Sequence, residues 1–130
     1  MSTPNLRILY SEDDPDSREI VCLILLKHGF ETICPDNAQD VLRMANEQKF
    51  DACLLDSWTP GMSGVELCKR IKEFDAHTPI IFYSAAALQG DKDEALAAGA
   101  HAYVTKPSSV EELVDAIRLA ISSSRDIQSE

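Results

Sequence analysis

The chain keeps changing its period. Five short apolar runs, RILY (7–10), FETIC (30–34), ACLLD (52–56), PIIFY (79–83) and AYVT (102–105), are separated by segments of helix length whose apolar residues recur about every 3.6 positions. A continuous apolar run marks a strand buried on both faces, and parallel strands joined by helical crossovers are what bury strands in that way. Right-handed crossovers then place helices on both sides of one parallel sheet.

The helical segments carry their own punctuation. Asp14 with Pro15 predicts an N-cap and first turn for a helix over 15–28, closed at Gly29. Asn37 opens a second over 38–48, and a third starts near Ser63 or Gly64 and runs to Phe74. The fourth covers 87–98, stopped by Gly99. The fifth covers 109–123, with Ser108 and Glu111 as a capping box and Val110, Leu113, Val114, Ile117 and Ile121 as one apolar stripe. The stretch after 122 reads as a frayed tail.

At 130 residues the chain has the length of one domain, able to build a core without metal or disulfide staples. Its net charge of −10, with the basic residues scattered, argues against nucleic acid as a direct partner, because phosphate binding needs a basic face. Cys22, Cys34, Cys53 and Cys68 form no CxxC pair and read as reduced thiols of a cytoplasmic protein. The longest apolar run, IVCLILL (20–26), is too short to span a bilayer, so no membrane insertion is expected.

In a doubly wound sheet, functional groups gather at the carboxyl ends of the strands. Glu12 and Asp13 follow the first strand, Asp56 ends the third, Ser84 follows the fourth, and Thr105-Lys106-Pro107 ends the fifth. Three acids, a hydroxyl and a lysine on one edge outline a metal-plus-phosphate site. Mg2+ takes one or two carboxylates, waters and phosphate oxygens, while lysine and hydroxyl donors serve the remaining oxygens. Asp14 and Asp16 read instead as cap and first-turn acids.

The segments ILYSEDDP, LLDSWTPGMSG, IIFYSAAA and AYVTKP, in this order and spacing, resemble the receiver domain of two-component response regulators, over roughly residues 6–123. The resemblance implies a flavodoxin-like three-layer sandwich with strand order 2-1-3-4-5, a receiver over 1–124 and a short tail over 125–130. It implies that Asp56 accepts a phosphoryl group from a sensor histidine kinase or a phosphotransfer protein. Glu12, Asp13, Asp56 and the backbone carbonyl of Trp58 would hold Mg2+, with Mn2+ as a substitute, Glu12 acting through water. Lys106 would contact the phosphoryl oxygens, Ser84 would be the switch hydroxyl and Tyr103 the aromatic whose rotamer reports the site. A cis Lys106–Pro107 bond is implied too. Such a domain catalyses only its own phosphorylation and dephosphorylation and is not a conventional enzyme. The face made by the fourth helix, fifth strand and fifth helix would meet a downstream protein, with Leu119 a candidate contact.

Two positions depart from the family pattern: Ser11 and Thr59 stand where apolar residues are usual. Trp58 is expected to shield the acyl phosphate from water. In the first helix, Val21, Leu25 and Leu26 are expected mainly to contact the core, the alternative being a docking surface for a kinase or phosphotransfer protein. With no effector domain after residue 124, the chain reads as a stand-alone, chemotaxis-regulator-like receiver, the alternative being a receiver cut from a larger regulator or hybrid kinase. A haloacid-dehalogenase-type phosphatase would need a second aspartate where Trp58 stands. A flavin or nucleotide binder would need a phosphate-cradling loop where SEDDPDS stands.

Overall fold

The computed structural model describes residues 5–128. Strand β1 (Leu6–Ser11) leads to helix α1 (Pro15–Lys27), β2 (Phe30–Ile33), α2 (Ala38–Glu47) and β3 (Ala52–Leu55). Two two-residue strands, β4 (Trp58–Thr59) and β5 (Met62–Ser63), come before α3 (Gly64–Phe74), β6 (Ile80–Ser84), α4 (Gln89–Ala97), β7 (Ala102–Thr105) and α5 (Val110–Gln128). The five long strands form one parallel sheet in the order β2-β1-β3-β6-β7, which is the expected 2-1-3-4-5 once the short strands are set aside.

Alternation of side chains along the strands divides the core into two layers. Ile8, Tyr10, Leu54 and Ile81 face α1 and α5, packing on Val21, Leu25, Leu113, Val114, Ile117 and Ile121. Leu9, Cys53, Leu55, Ile80 and Phe82 face α2, α3 and α4, packing on Val41, Leu67, Cys68, Ile71 and Ala95. Helices on both faces explain why the strands lack hydrophobic alternation in sequence. The four cysteines are free thiols, and burial pushes Cys53 up to about 12 and Cys34 and Cys68 to about 11. No helix among the described residues is long and apolar enough to cross a membrane.

The caps of the first three helices lie where the sequence places them. The side chains of Asp14, Asn37 and Ser63 accept from the backbone N–H of Ser17, Asp40 and Glu66. The fifth cap does not. Ser109, not Ser108, accepts from the Glu112 N–H at 3.0 Å, while the Ser108 hydroxyl donates to the Ser109 carbonyl. Ser108/Glu111 and Ser109/Glu112 both satisfy the capping-box spacing, so the pattern is degenerate by one residue. Helix α5 also continues past 123 to Gln128, where a frayed tail was expected, because Ala120, Ile121 and Ser124 keep a buried face. Of the expected tail 125–130, residues 125–128 are helical, and 129 and 130 lie outside the described residues.

Helix α1 corrects a second expectation. Val21 and Leu25 are buried, but Leu26 is 54% exposed, along with Ile20 and Leu23. The helix is apolar beyond the stripe that the sheet can cover.

Candidate functional site

The strand order reverses at β1 and β3, which run side by side with Ser11 opposite Leu55. The residues that leave these two strands therefore emerge together. Carboxylate oxygens of Glu12, Asp13 and Asp56 all lie within 4.8 Å of one another, with Glu12 buried, Asp56 half-buried and Asp13 exposed. From the end of β7, the Lys106 ammonium reaches across to Glu12 Oε1 at 2.5 Å and stands 3.6 Å from Asp56 Oδ2. The Lys106–Pro107 peptide is cis.

Glu12 and Asp56 share one ammonium, and their surroundings separate them. Burial pushes the Glu12 carboxyl up, but the Lys106 bond and the Asp14 N–H outweigh it and hold the group below its ordinary range. For Asp56 burial wins: its carboxyl sits above the usual range, although Lys106 and the Ser57 N–H pull against it. Burial also disfavours the Lys106 ammonium, yet Glu12 and Asp56 hold its pKa above the ordinary lysine value. The ion pair is thus mainly Lys106–Glu12, and Asp56 stays short of compensating charge.

The loop after Asp56 is fixed by backbone contacts. The Ser57 N–H donates to Asp56 Oδ1 at 2.7 Å, and the Ser57 carbonyl accepts from the Gly64 N–H at 2.7 Å. A Cβ on Gly64 would stand 2.1 Å from the Asp56 carbonyl oxygen, so only glycine lets α3 begin this close to the loop after Asp56. Between them β4 and β5 form a small antiparallel hairpin turned at Pro60–Gly61, with Gly61 at φ 101°. The Trp58 side chain is 55% exposed on this hairpin.

Ser84 is buried at the end of β6. Its Oγ accepts from the Ala86 N–H at 3.1 Å and shares a hydrogen bond with the Ser57 hydroxyl. Tyr103 stacks on Phe82 with ring centroids 5.7 Å apart, and its hydroxyl donates to the Ala86 carbonyl at 2.5 Å. One short segment, 84–86, therefore contacts both the residue following Asp56 and the aromatic on β7.

The structure brings Glu12, Asp13, Asp56 and Lys106 together, links Ser84 to Tyr103 through Ala86, and adds two relationships that the sequence did not reveal. Ser57 stands inside the segment LLDSWTPGMSG without a role of its own, yet its hydroxyl meets Ser84. Ser11 and Thr59, two separate oddities in sequence, are hydrogen-bonded to each other and almost completely buried. The available signal was that a hydroxyl in a buried strand needs a partner.

Residues 8–118 match the family described as "Response regulator receiver domain". The chain belongs to that family. The receiver is 33% identical over 126 residues to the DNA-binding response regulator MtrA of Mycolicibacterium smegmatis, covering 97% of this chain and 55% of that protein. It is 34% identical over 114 residues to the phosphate regulon transcriptional regulatory protein PhoB of Escherichia coli, covering 86% of this chain and 50% of that protein. It thus spans about half the length of these relatives. Among solved structures, the receiver domain of the sensor histidine kinase PA1611 from Pseudomonas aeruginosa, with a magnesium ion coordinated in its active-site cleft, superposes with a TM-score of 0.84 at 29% identity. That match covers 91% of this chain and 98% of the other. A CheY-like receiver from Methanospirillum hungatei gives 0.87 at 25% identity, covering 94% and 98%. The receiver is accordingly a phosphoacceptor signalling domain of the two-component type. Family membership sets aside the phosphatase and flavin-binder readings.

Proposed function

We propose that Asp56 is the phosphoacceptor and that the carboxylate cluster with Lys106 is its catalytic site. The observation that carries this is the crowding of Glu12, Asp13 and Asp56 within 4.8 Å around a single lysine. An all-oxygen set with surplus negative charge suits a hard divalent cation, so the donor chemistry fits Mg2+, with Mn2+ as a substitute. Glu12, Asp13, Asp56 and the Trp58 carbonyl are the groups that would hold it. When bound, the cation neutralises the phosphoryl oxygens and the acids beside them.

The chain's own residues do the rest. An Asp56 carboxylate oxygen attacks the phosphorus of a phosphohistidine, supplied by a sensor histidine kinase or a phosphotransfer protein. The O–P bond forms and the P–N bond breaks, its electron pair leaving with the imidazole, which departs protonated. Lys106 stands beside Asp56 to receive a phosphoryl oxygen, and Ser84 donates to another. In-line positioning and charge neutralisation account for most such catalysis.

Output passes through Ser84 and Tyr103 to the face built by α4, β7 and α5, where Leu119 is 69% exposed and Leu96 is 49% exposed. A downstream protein docks there. The exposed apolar face of α1 (Ile20, Leu23, Leu26) lies beside a groove that reaches Lys106 and Pro107, which supports it as the side that meets the phosphodonor protein.

The test is intact mass after incubation with Mg2+ and a small phosphoramidate donor. One added phosphoryl group is expected, absent in Asp56→Asn and in chelator. An adduct that persists in Asp56→Asn overturns the assignment.

A further inference from the structure

The hydroxyl of Ser57 meets the hydroxyl of Ser84, a contact that spans 27 positions and that nothing about phosphoryl acceptance by Asp56 requires. We propose that Ser57 is a positioning residue: it restrains the Ser84 hydroxyl beside the Asp56 loop before the phosphoryl group arrives, so that less freedom is lost when Ser84 bonds that group. This rests on the reading of Asp56 and Ser84 given above.

Three observations place Ser57 in this role. Its backbone is immobilised on both sides, with the N–H on Asp56 Oδ1 at 2.7 Å and the carbonyl on the Gly64 N–H at 2.7 Å, so its side chain projects from a fixed point. Ser84 Oγ already accepts from the Ala86 N–H, which restrains it on one side; Ser57 supplies the second restraint. Held by both, the Ser84 hydroxyl is tied to the residue whose N–H is bonded to the Asp56 carboxylate. A serine hydroxyl free to rotate has three staggered wells and spends only part of its time aimed at the phosphoryl position. Two fixed partners remove that freedom before the reaction, and pre-organisation of this kind raises affinity without adding a contact to the ligand.

The segment 84–86 gives the restraint a longer reach. The Ala86 N–H is on Ser84 and the Ala86 carbonyl is on the Tyr103 hydroxyl, so loosening Ser84 also loosens the anchor of Tyr103. Ser57 thus lies at one end of a hydrogen-bonded chain, Ser57–Ser84–Ala86–Tyr103, that runs from the residue after the nucleophile to the output face.

The experiment uses beryllofluoride as a phosphoryl mimic with Mg2+, followed by the fluorescence of Trp58, the single tryptophan. Ser57→Ala is expected to weaken beryllofluoride about three- to tenfold, the loss of one hydrogen bond. Ser57→Thr is expected to restore it, and the Ala change is expected to add nothing in a Ser84→Ala background. In metal-free protein, exchange of the Ala86 amide followed by NMR should quicken in Ser57→Ala and recover in Ser57→Thr. An unchanged affinity, or the same loss with Ser84 already removed, overturns the inference. A wild-type protein that fails to bind beryllofluoride and also forms no adduct at Asp56 overturns instead the reading on which it rests.

Discussion

The two ends of the sheet both collect acids and treat them in opposite ways. At the amino edge each acid has its own donors. Asp51 accepts from the Arg7 N–H at 2.7 Å and pairs with Arg125 at 3.0 Å. Asp75 accepts from the N–H groups of His77 and Thr78 and from the Thr78 hydroxyl. At the carboxyl edge the carboxylates of Glu12, Asp13 and Asp56 crowd within 4.8 Å of one another, and Lys106 is the one cation paired with Glu12 and Asp56 among the described residues. Charge at the first edge is spent on holding the fold. At the second it is left over, and surplus like charge at a fixed point is what a cation-dependent phosphoryl site requires.

The comparison breaks if neutralising an acid has the same sign at both ends. Adding Mg2+ at about 100 times its dissociation constant should stabilise the receiver by about 2.7 kcal/mol in thermal unfolding. Asp13→Asn should abolish that gain while leaving the metal-free protein as stable as wild type or slightly more so, since one member of the repelling cluster is gone. A stabilised wild type with an equally stabilised variant would show that the cation binds elsewhere.

The buried Ser11–Thr59 pair joins the end of β1, directly before Glu12 and Asp13, to the hairpin that carries Trp58. Ser11→Ala or Thr59→Val alone should cost about 1–3 kcal/mol, because each leaves a buried hydroxyl without its partner. The double variant should cost clearly less than the sum, and additive losses in chemical denaturation would deny the coupling.

Asp75 tests the amino edge. Burial raises its carboxyl, but the Thr78 and His77 donors outweigh that and hold it below the ordinary aspartate range. A depressed folded pKa means stability that is present above the unfolded value and lost as pH falls through the folded one. Asp75→Asn should therefore cost about 1 kcal/mol at pH 7, a figure reduced for partial exposure, and the gap to wild type should close in acid. A gap independent of pH down to about 2 would contradict this origin. The smallest effect expected is at Trp58: Trp58→Ala should shorten the lifetime of the acyl phosphate a few-fold with no change in melting temperature, and an unchanged lifetime would remove shielding as its role.

Period and punctuation in the sequence carried the five strand–helix units, the caps at Asp14, Asn37 and Ser63, and the stripe on α5. These depend on residues within a turn or two of each other, so local pattern is enough. The site was legible for a related reason: a doubly wound sheet delivers its strand ends to one edge, and Glu12, Asp13, Asp56, Ser84 and Lys106 are simply what stands there. Other features were not local. Which serine caps α5 is decided by one hydrogen bond, Glu112 N–H to Ser109 Oγ, that two equally spaced pairs could have made. Which apolar residues of α1 are covered depends on the width of the sheet beneath, and so Leu26 stays in solvent. The pairing of Ser11 with Thr59 and of Ser57 with Ser84 spans 48 and 27 positions, and only the register of β1, β3 and β6 puts those hydroxyls in contact. The sequence by itself determined which groups reach the edge, because that follows from periodicity. Tertiary structure alone decided which of them touch, because a hydrogen bond is made or lost within about 1 Å, finer than any sequence pattern resolves.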